Sequence, residues 1–206
     1  VLVMVVSVSP RSAAALAPDD RTEANTLHFV YGVECSAYMD WQAVAFEASF
    51  RAVGQEGKLT RLMACDDPEM VTSAEELGLV SETWVHPRAA RHPKSGDYYS
   101  AYNRPYGFHH WFLHHPPQEE IIIIFDPDMF LLRRILLEDL PPVEELRGAP
   151  MMQEYTYLAE RGFVNGLQRF TMNIDAARPV GVPMFFHRDD LRVLNPWWFV
   201  VTEMVR

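Results

Sequence analysis

Asp126 and Asp128 stand one residue apart at the end of the apolar run Ile121–Phe125. Two carboxylates this close repel each other unless water, hydrogen-bond donors or a cation offset the charge. A hard divalent metal is the economical solution, and two chemistries use it. In glycosyl transfer from a nucleotide sugar, the paired acids hold Mn²⁺ or Mg²⁺, and the metal neutralises charge developing on the departing diphosphate. In phosphoryl transfer, the first acid is a nucleophile, the second a general acid or base, and Mg²⁺ binds alongside. The plainest alternative is a turn, since Asp and Pro are ordinary residues at a strand end.

The flanking residues weigh against phosphoryl transfer of the haloacid-dehalogenase kind. That motif normally carries Thr or Val two residues after its second Asp and opens its domain. Here Met129 and Phe130 follow Asp128, and more than a hundred residues precede it. The later Arg188-Asp189-Asp190 still imitates that chemistry's distal acidic motif. A calcium loop fails for want of a third acid followed by Gly.

Elements must position these acids. Leu27–Val33 reads as a buried strand, and the following stretch places Trp41, Val44, Ala45, Ala48 and Ala52 at helical spacing. Gly54 and Gly57 punctuate the helix end before a second strand, Lys58–Cys65. Residues 75–79 suggest a short helix, Glu82–Val85 a third strand, and residues 87–99 a polar loop. A helix starts near Asn103, with Pro105 tolerated in its first turn. Ile121–Phe125 shows no alternation, as expected of a central parallel strand covered on both faces. The pattern predicts an α/β fold with a mostly parallel, Rossmann-like sheet, in which ligands bind beyond the carboxyl ends of the strands. Further on, residues 149–155 read as a strand. Val182–Phe186 is another, leading into Asp189 and Asp190, which are either functional acids or a helix N-cap pair before residues 191–194.

The whole chain narrows the partners. Its 206 residues, 49% hydrophobic and 22% charged, suit about one globular domain. A formal charge of -10 repels polyanions unless positive charge is locally concentrated or a cation intervenes, so nucleic acid is not an expected partner, while an anionic cofactor remains open if a metal brings it in. The apolar opening residues, followed by small ones, form a secretory signal pattern; the expectation is a signal peptide or signal-anchor remnant over 1–18, then one domain over 19–206. Membrane contact is expected only through such an anchor. Cys35 and Cys65 each end a strand and admit either a disulfide or two free thiols.

Four blocks in order and spacing resemble one family: residues 33–65, 91–112, 121–135 and 182–206. They are similar to the hydroxyproline O-arabinosyltransferases and the related peptidyl serine α-galactosyltransferases of plants and algae, from about Leu27 to Arg206. The resemblance implies a GT-A type fold, a retaining enzyme of the secretory lumen (Golgi or endoplasmic reticulum), Mn²⁺ (or Mg²⁺), a UDP-sugar donor and a Ser- or hydroxyproline-rich acceptor protein. It makes Asp126 and Asp128 the metal and diphosphate ligands, and places Asn103 and Arg104 where the family has an Asn-Lys pair able to meet phosphate at a helix start. Glu34 and Arg61, taken as strand-end residues, are donor-binding candidates. Asp189 and Asp190 are the catalytic candidates, facing the sugar or orienting the acceptor hydroxyl. The chain departs from the pattern at Pro127, where a small residue is usual, and at Arg134, where Gly is common. The relatives also continue further, so the fold is expected to be incomplete at the C-terminus, and a non-catalytic sugar-nucleotide or protein-binding module is the remaining alternative. His109, His110, His114 and His115 fit an aromatic helix face without an alternating acid; His187 is the better ligand candidate. Tyr98, Tyr99, Tyr102 and Tyr106 suit either core packing or a platform for a polyproline II acceptor.

Overall fold

A computed structural model describes residues 21–154 and 180–205. The targeting segment expected over 1–18 and the polar stretch after Glu154 lie outside the described residues. In chain order the elements are α1 (Glu23–Thr26), β1 (Leu27–Glu34), α2 (Ala37–Ala52), β2 (Lys58–Ala64), β3 (Glu82–His86), α3 (Asn103–His114), β4 (Ile121–Phe125), α4 (Val143–Leu146), β5 (Met151–Glu154), β6 (Val180–His187) and α5 (Arg188–Val205). Single 3-10 turns intervene at Pro68–Met70, Ser100–Tyr102 and Leu137–Asp139.

Among the described residues the strands form one six-stranded sheet in the order β3-β2-β1-β4-β6-β5. The β3, β2, β1 and β4 strands run parallel, and β6 runs antiparallel to both β4 and β5. Successive side chains of a strand point to opposite faces, and β1 shows the result. Phe29 and Tyr31 meet Phe50 and Phe46 of α2, whereas His28 meets Trp111 of α3. The two helices therefore cover opposite faces, and Ile121–Ile124, all 0% exposed, lie between the layers. A doubly covered sheet is what the unbroken apolar run required.

Local chemistry accounts for several boundaries. The Ser36 side chain accepts a hydrogen bond from the Met39 N–H and caps α2. Gly57, at φ 118°, turns the chain into β2 where a Cβ would meet the Leu27 carbonyl at 2.8 Å. The Cys35 and Cys65 sulfurs are bonded, joining the carboxyl ends of β1 and β2. Pro183 in β6 has no N–H to give, and the pairing with β5 steps from Met184 directly to Gly181 across it.

Three expectations need correction. The buried face of α2 is formed by Ala43, Phe46, Glu47 and Phe50, while Trp41 and Ala48 are exposed. The short helix expected over residues 75–79 is a turn, which Gly78 ends at φ 65°. The helix after β6 is far longer than residues 191–194, and runs on through Pro196.

Candidate active site

The parallel strands deliver their carboxyl ends to one rim, and the cavity lies there. It measures about 210 Å³ and is lined by Gly32–Glu34 of β1, His86 of β3, Asp126 and Pro127 after β4, and Tyr99, Asn103 and Arg104 around the start of α3. Val33, Leu62 and Phe108 contribute apolar walls. A cavity at strand carboxyl ends is where open α/β sheets bind ligands.

Two polar links shape it. Asn103, 7% exposed, donates from Nδ2 to Glu34 Oε1 at 2.7 Å, and its Oδ1 accepts the Ala89 N–H at 2.7 Å. The first residue of α3 is thereby tied to the end of β1 and to the loop after β3. With the helix so placed, the next residue, Arg104, reaches across and pairs with Asp126. Their side chains keep 28% and 32% of their exposure, so solvent screens the pair, and such pairs contribute at most about 1 kcal/mol. The loop after β3 is held from the other side: the Arg88 guanidinium donates to Cys35 O and Sγ, both at 3.3 Å, and the Arg88 N–H donates to Asp66 Oδ1 at 2.8 Å.

His86 stands at the end of β3, 2% exposed. Its Nδ1 donates to Pro87 O at 2.9 Å, and burial, partly offset by this contact, holds its imidazole down at about 4. Strand-end position is the signal that singled out Glu34, and it applies equally to His86, which sequence reasoning passed over.

Of the residues singled out from the sequence, the structure brings Glu34, Asn103, Arg104 and Asp126 together. Asp128 is exposed and is not among the cavity-lining residues. Arg61 is mid-strand and fully buried rather than at a strand end; its guanidinium donates to Thr72 O at 2.8 Å and Thr83 Oγ1 at 3.1 Å, with Asp40 at 3.9 Å. It holds the loop before β3 to the sheet and does not reach the cavity.

Asp189 and Asp190 are displaced further still. Because β6 is antiparallel to β4, His187 pairs with Ile121, the first residue of β4, whereas Asp126 follows the last. The two acids therefore lie at the opposite end of the sheet from the cavity. There Asp189 pairs with Arg147, Asp190 accepts the Gly148 N–H at 2.5 Å, and both occupy the first turn of α5. Neither faces a sugar bound beside Asp126, and the distal-acid analogy with the phosphatases loses its geometric basis. His187, buried at 5%, shares that far end.

Among the described residues no group of three or more His, Cys, Asp or Glu side chains is arranged to hold a metal. Asp126 and Asp128 are hard oxygen donors, too few for a closed protein cage. Asp126, the one of the two that lines the cavity, is a donor of the kind taken by an ion of the Mg²⁺ class, which is commonly held by one or two carboxylates together with substrate phosphates.

The comparisons with known proteins agree with this architecture. Residues 27–206 match the hydroxyproline O-arabinosyltransferase family N-terminal domain. The chain is 37% identical over 183 residues to a peptidyl serine alpha-galactosyltransferase of Arabidopsis thaliana, covering 87% of this chain and 22% of that protein. To the protein of the same name from Chlamydomonas reinhardtii it is 30% identical over 191 residues, covering 87% and 25%. The chain thus spans about a quarter or less of the curated relatives it matches. Among solved structures, the galactosyltransferase LgtC with donor and acceptor sugar analogues superposes at a TM-score of 0.53 with 10% identity, over 87% of this chain and 66% of that one. The bifunctional glycosyltransferase WbbM superposes at 0.51 with 13% identity, over 89% and 35%. At such identities the likeness is one of fold, and the fold is that of GT-A glycosyltransferases.

Proposed function

The chain belongs to the hydroxyproline O-arabinosyltransferase family, and from that premise we propose that it is the donor-binding part of a metal-dependent glycosyltransferase. The donor is a UDP-sugar carrying arabinose or galactose, and the acceptor is serine or hydroxyproline of a secreted protein. One observation carries the reading: Asp126 and the cation at the start of α3 share a cavity at the carboxyl ends of the parallel strands.

Each part of the cavity has a role in this reading. Val33, Leu62 and Phe108 provide an apolar wall suited to a flat base, and Glu34, fixed by Asn103, provides a carboxylate acceptor for hydroxyl or ring N–H groups. The diphosphate lies toward Asp126 and the start of α3, where the amino end of the helix favours anions. Asp126 and Asp128 would hold Mn²⁺ or Mg²⁺, whose charge supplies stabilisation to the departing nucleotide diphosphate. The overall charge of -10 works against the approach of a diphosphate, and a bound cation would offset it locally.

Tyr98 and Tyr99 are 57% and 58% exposed, and Tyr99 lines the cavity. An exposed aromatic ring such as Tyr99 in the cavity lining suits a proline-rich extended chain, which supports an acceptor approaching from this side. A secretory lumen is supported by the Cys35–Cys65 disulfide, which requires an oxidising compartment to persist. No described helix is long and apolar enough to cross a membrane.

A donor panel tests the proposal. The chain is incubated with Mn²⁺, individual UDP-sugars and serine- or hydroxyproline-rich peptides, and the peptides are weighed by mass spectrometry. One pentose or hexose increment, dependent on metal, is the expected result. UDP binding without transfer from any donor would instead identify a sugar-nucleotide-binding module.

A further inference from the structure

Arg104 and Asp126 are joined across the cavity that would receive the donor, and the pairing has a consequence for the order in which ligands can enter. The carboxylate that a metal would need is paired with a guanidinium. By the same contact, the cation best placed for a phosphate is neutralised by a carboxylate. Neither a free metal ion nor a free diphosphate meets its full partner.

We propose that Arg104 is an exchangeable counter-ion for Asp126, which leaves it for the donor diphosphate when a divalent cation takes its place. This inference rests on the donor-site reading above and deepens it. Three observations carry it. Both side chains remain partly exposed, at 28% and 32%, so the pair is not locked by burial. The backbone of α3 is fixed independently, through Asn103 to Glu34 and Ala89, so the guanidinium can swing while its helix stays in place. Finally, Glu34 and Asp126 give the cavity two carboxylates. A diphosphate entering without a metal therefore meets net negative charge while Arg104 stays paired. Entry of a divalent cation reverses that balance and frees the guanidinium for bidentate contact with phosphate. Metal and nucleotide consequently bind as a mutually dependent pair, each lowering the cost of admitting the other.

The test uses binding, with no turnover required. Free Mn²⁺ is measured by electron paramagnetic resonance during titration of the chain, and UDP is titrated calorimetrically at saturating Mn²⁺. Wild type is compared with Arg104→Gln and Arg104→Lys, and thermal unfolding verifies that each variant is folded. Arg104→Gln should bind Mn²⁺ alone about 3- to 10-fold more tightly, because Asp126 is released, and should bind UDP with Mn²⁺ about 10- to 100-fold more weakly, having lost one charge-assisted contact. Arg104→Lys keeps the charge and should move both values back toward wild type, which a general loosening of α3 would not do. Unchanged Mn²⁺ affinity in Arg104→Gln, or unchanged UDP affinity, overturns the exchange while metal-dependent UDP binding by wild type keeps the donor site standing. Absence of UDP binding in wild type overturns both.

Discussion

His86 is kept neutral by its surroundings. Burial holds its imidazole at about 4 against an ordinary value near 6.5. With Nδ1–H committed to the Pro87 carbonyl, a second proton must go to Nε2, which faces Gly107 of α3. The sign follows directly: the unfolded chain binds that proton more readily, so the stability is complete above about pH 6.5 and is lost as pH falls toward 4. The loss amounts to roughly 3 kcal/mol over this interval. Urea unfolding of wild type and His86→Gln between pH 7 and 4 reads it, and the wild type should lose about that much more than the variant. Parallel pH dependence in the two proteins would contradict it. At this scale the sequence was partly legible. Strand ends pointed to Asp126 and Glu34 and the family resemblance to Asn103 and Arg104, and all four line one cavity, but Arg61 was misplaced by three residues of strand. That error exchanged an exposed ligand for a buried tie.

Helix α3 carries the site's cation, and its approach to the sheet depends on one missing side chain. A Cβ on Gly107 would come within 2.4 Å of His86 Nε2. Alanine normally favours a helix interior by about 1 kcal/mol over glycine, yet the buried ring has little room to retreat, and overpacking costs about 1–3 kcal/mol. Gly107→Ala should therefore destabilise the chain by roughly 1–2 kcal/mol in chemical denaturation and weaken UDP binding as Arg104 shifts. A stabilised variant would show that the helix is not held so closely. The face of α2 illustrates what element-level pattern leaves open. Apolar residues surround that helix, so periodicity admitted a face through Trp41 and Ala48. The large rings of Phe46 and Phe50 decided otherwise, because they fill the space beside Phe29, Tyr31 and Phe125.

Across the whole molecule the sheet separates two sets of acids that look alike in the sequence. Each follows a buried strand, and each resembles a site. Strand direction distinguishes them: β4 is parallel to β1 and ends at the cavity, whereas β6 runs the other way and delivers Asp189 and Asp190 to the far rim. Direction within a sheet is a property of non-local pairing, so no local pattern could reveal it. The disulfide was open for the same reason, since only the adjacency of β1 and β2 brings Cys35 and Cys65 to a Cα separation of 5.4 Å. The central claim is that Asp126 anchors a metal-dependent nucleotide diphosphate site and that the opposite acids do not take part. Calorimetric titration of UDP, with and without Mn²⁺, into wild type, Asp126→Asn and Asp189→Asn tests it most directly. The account predicts binding only with Mn²⁺, abolished by Asp126→Asn and retained by Asp189→Asn; UDP affinity indifferent to metal, or surviving in Asp126→Asn, would contradict it.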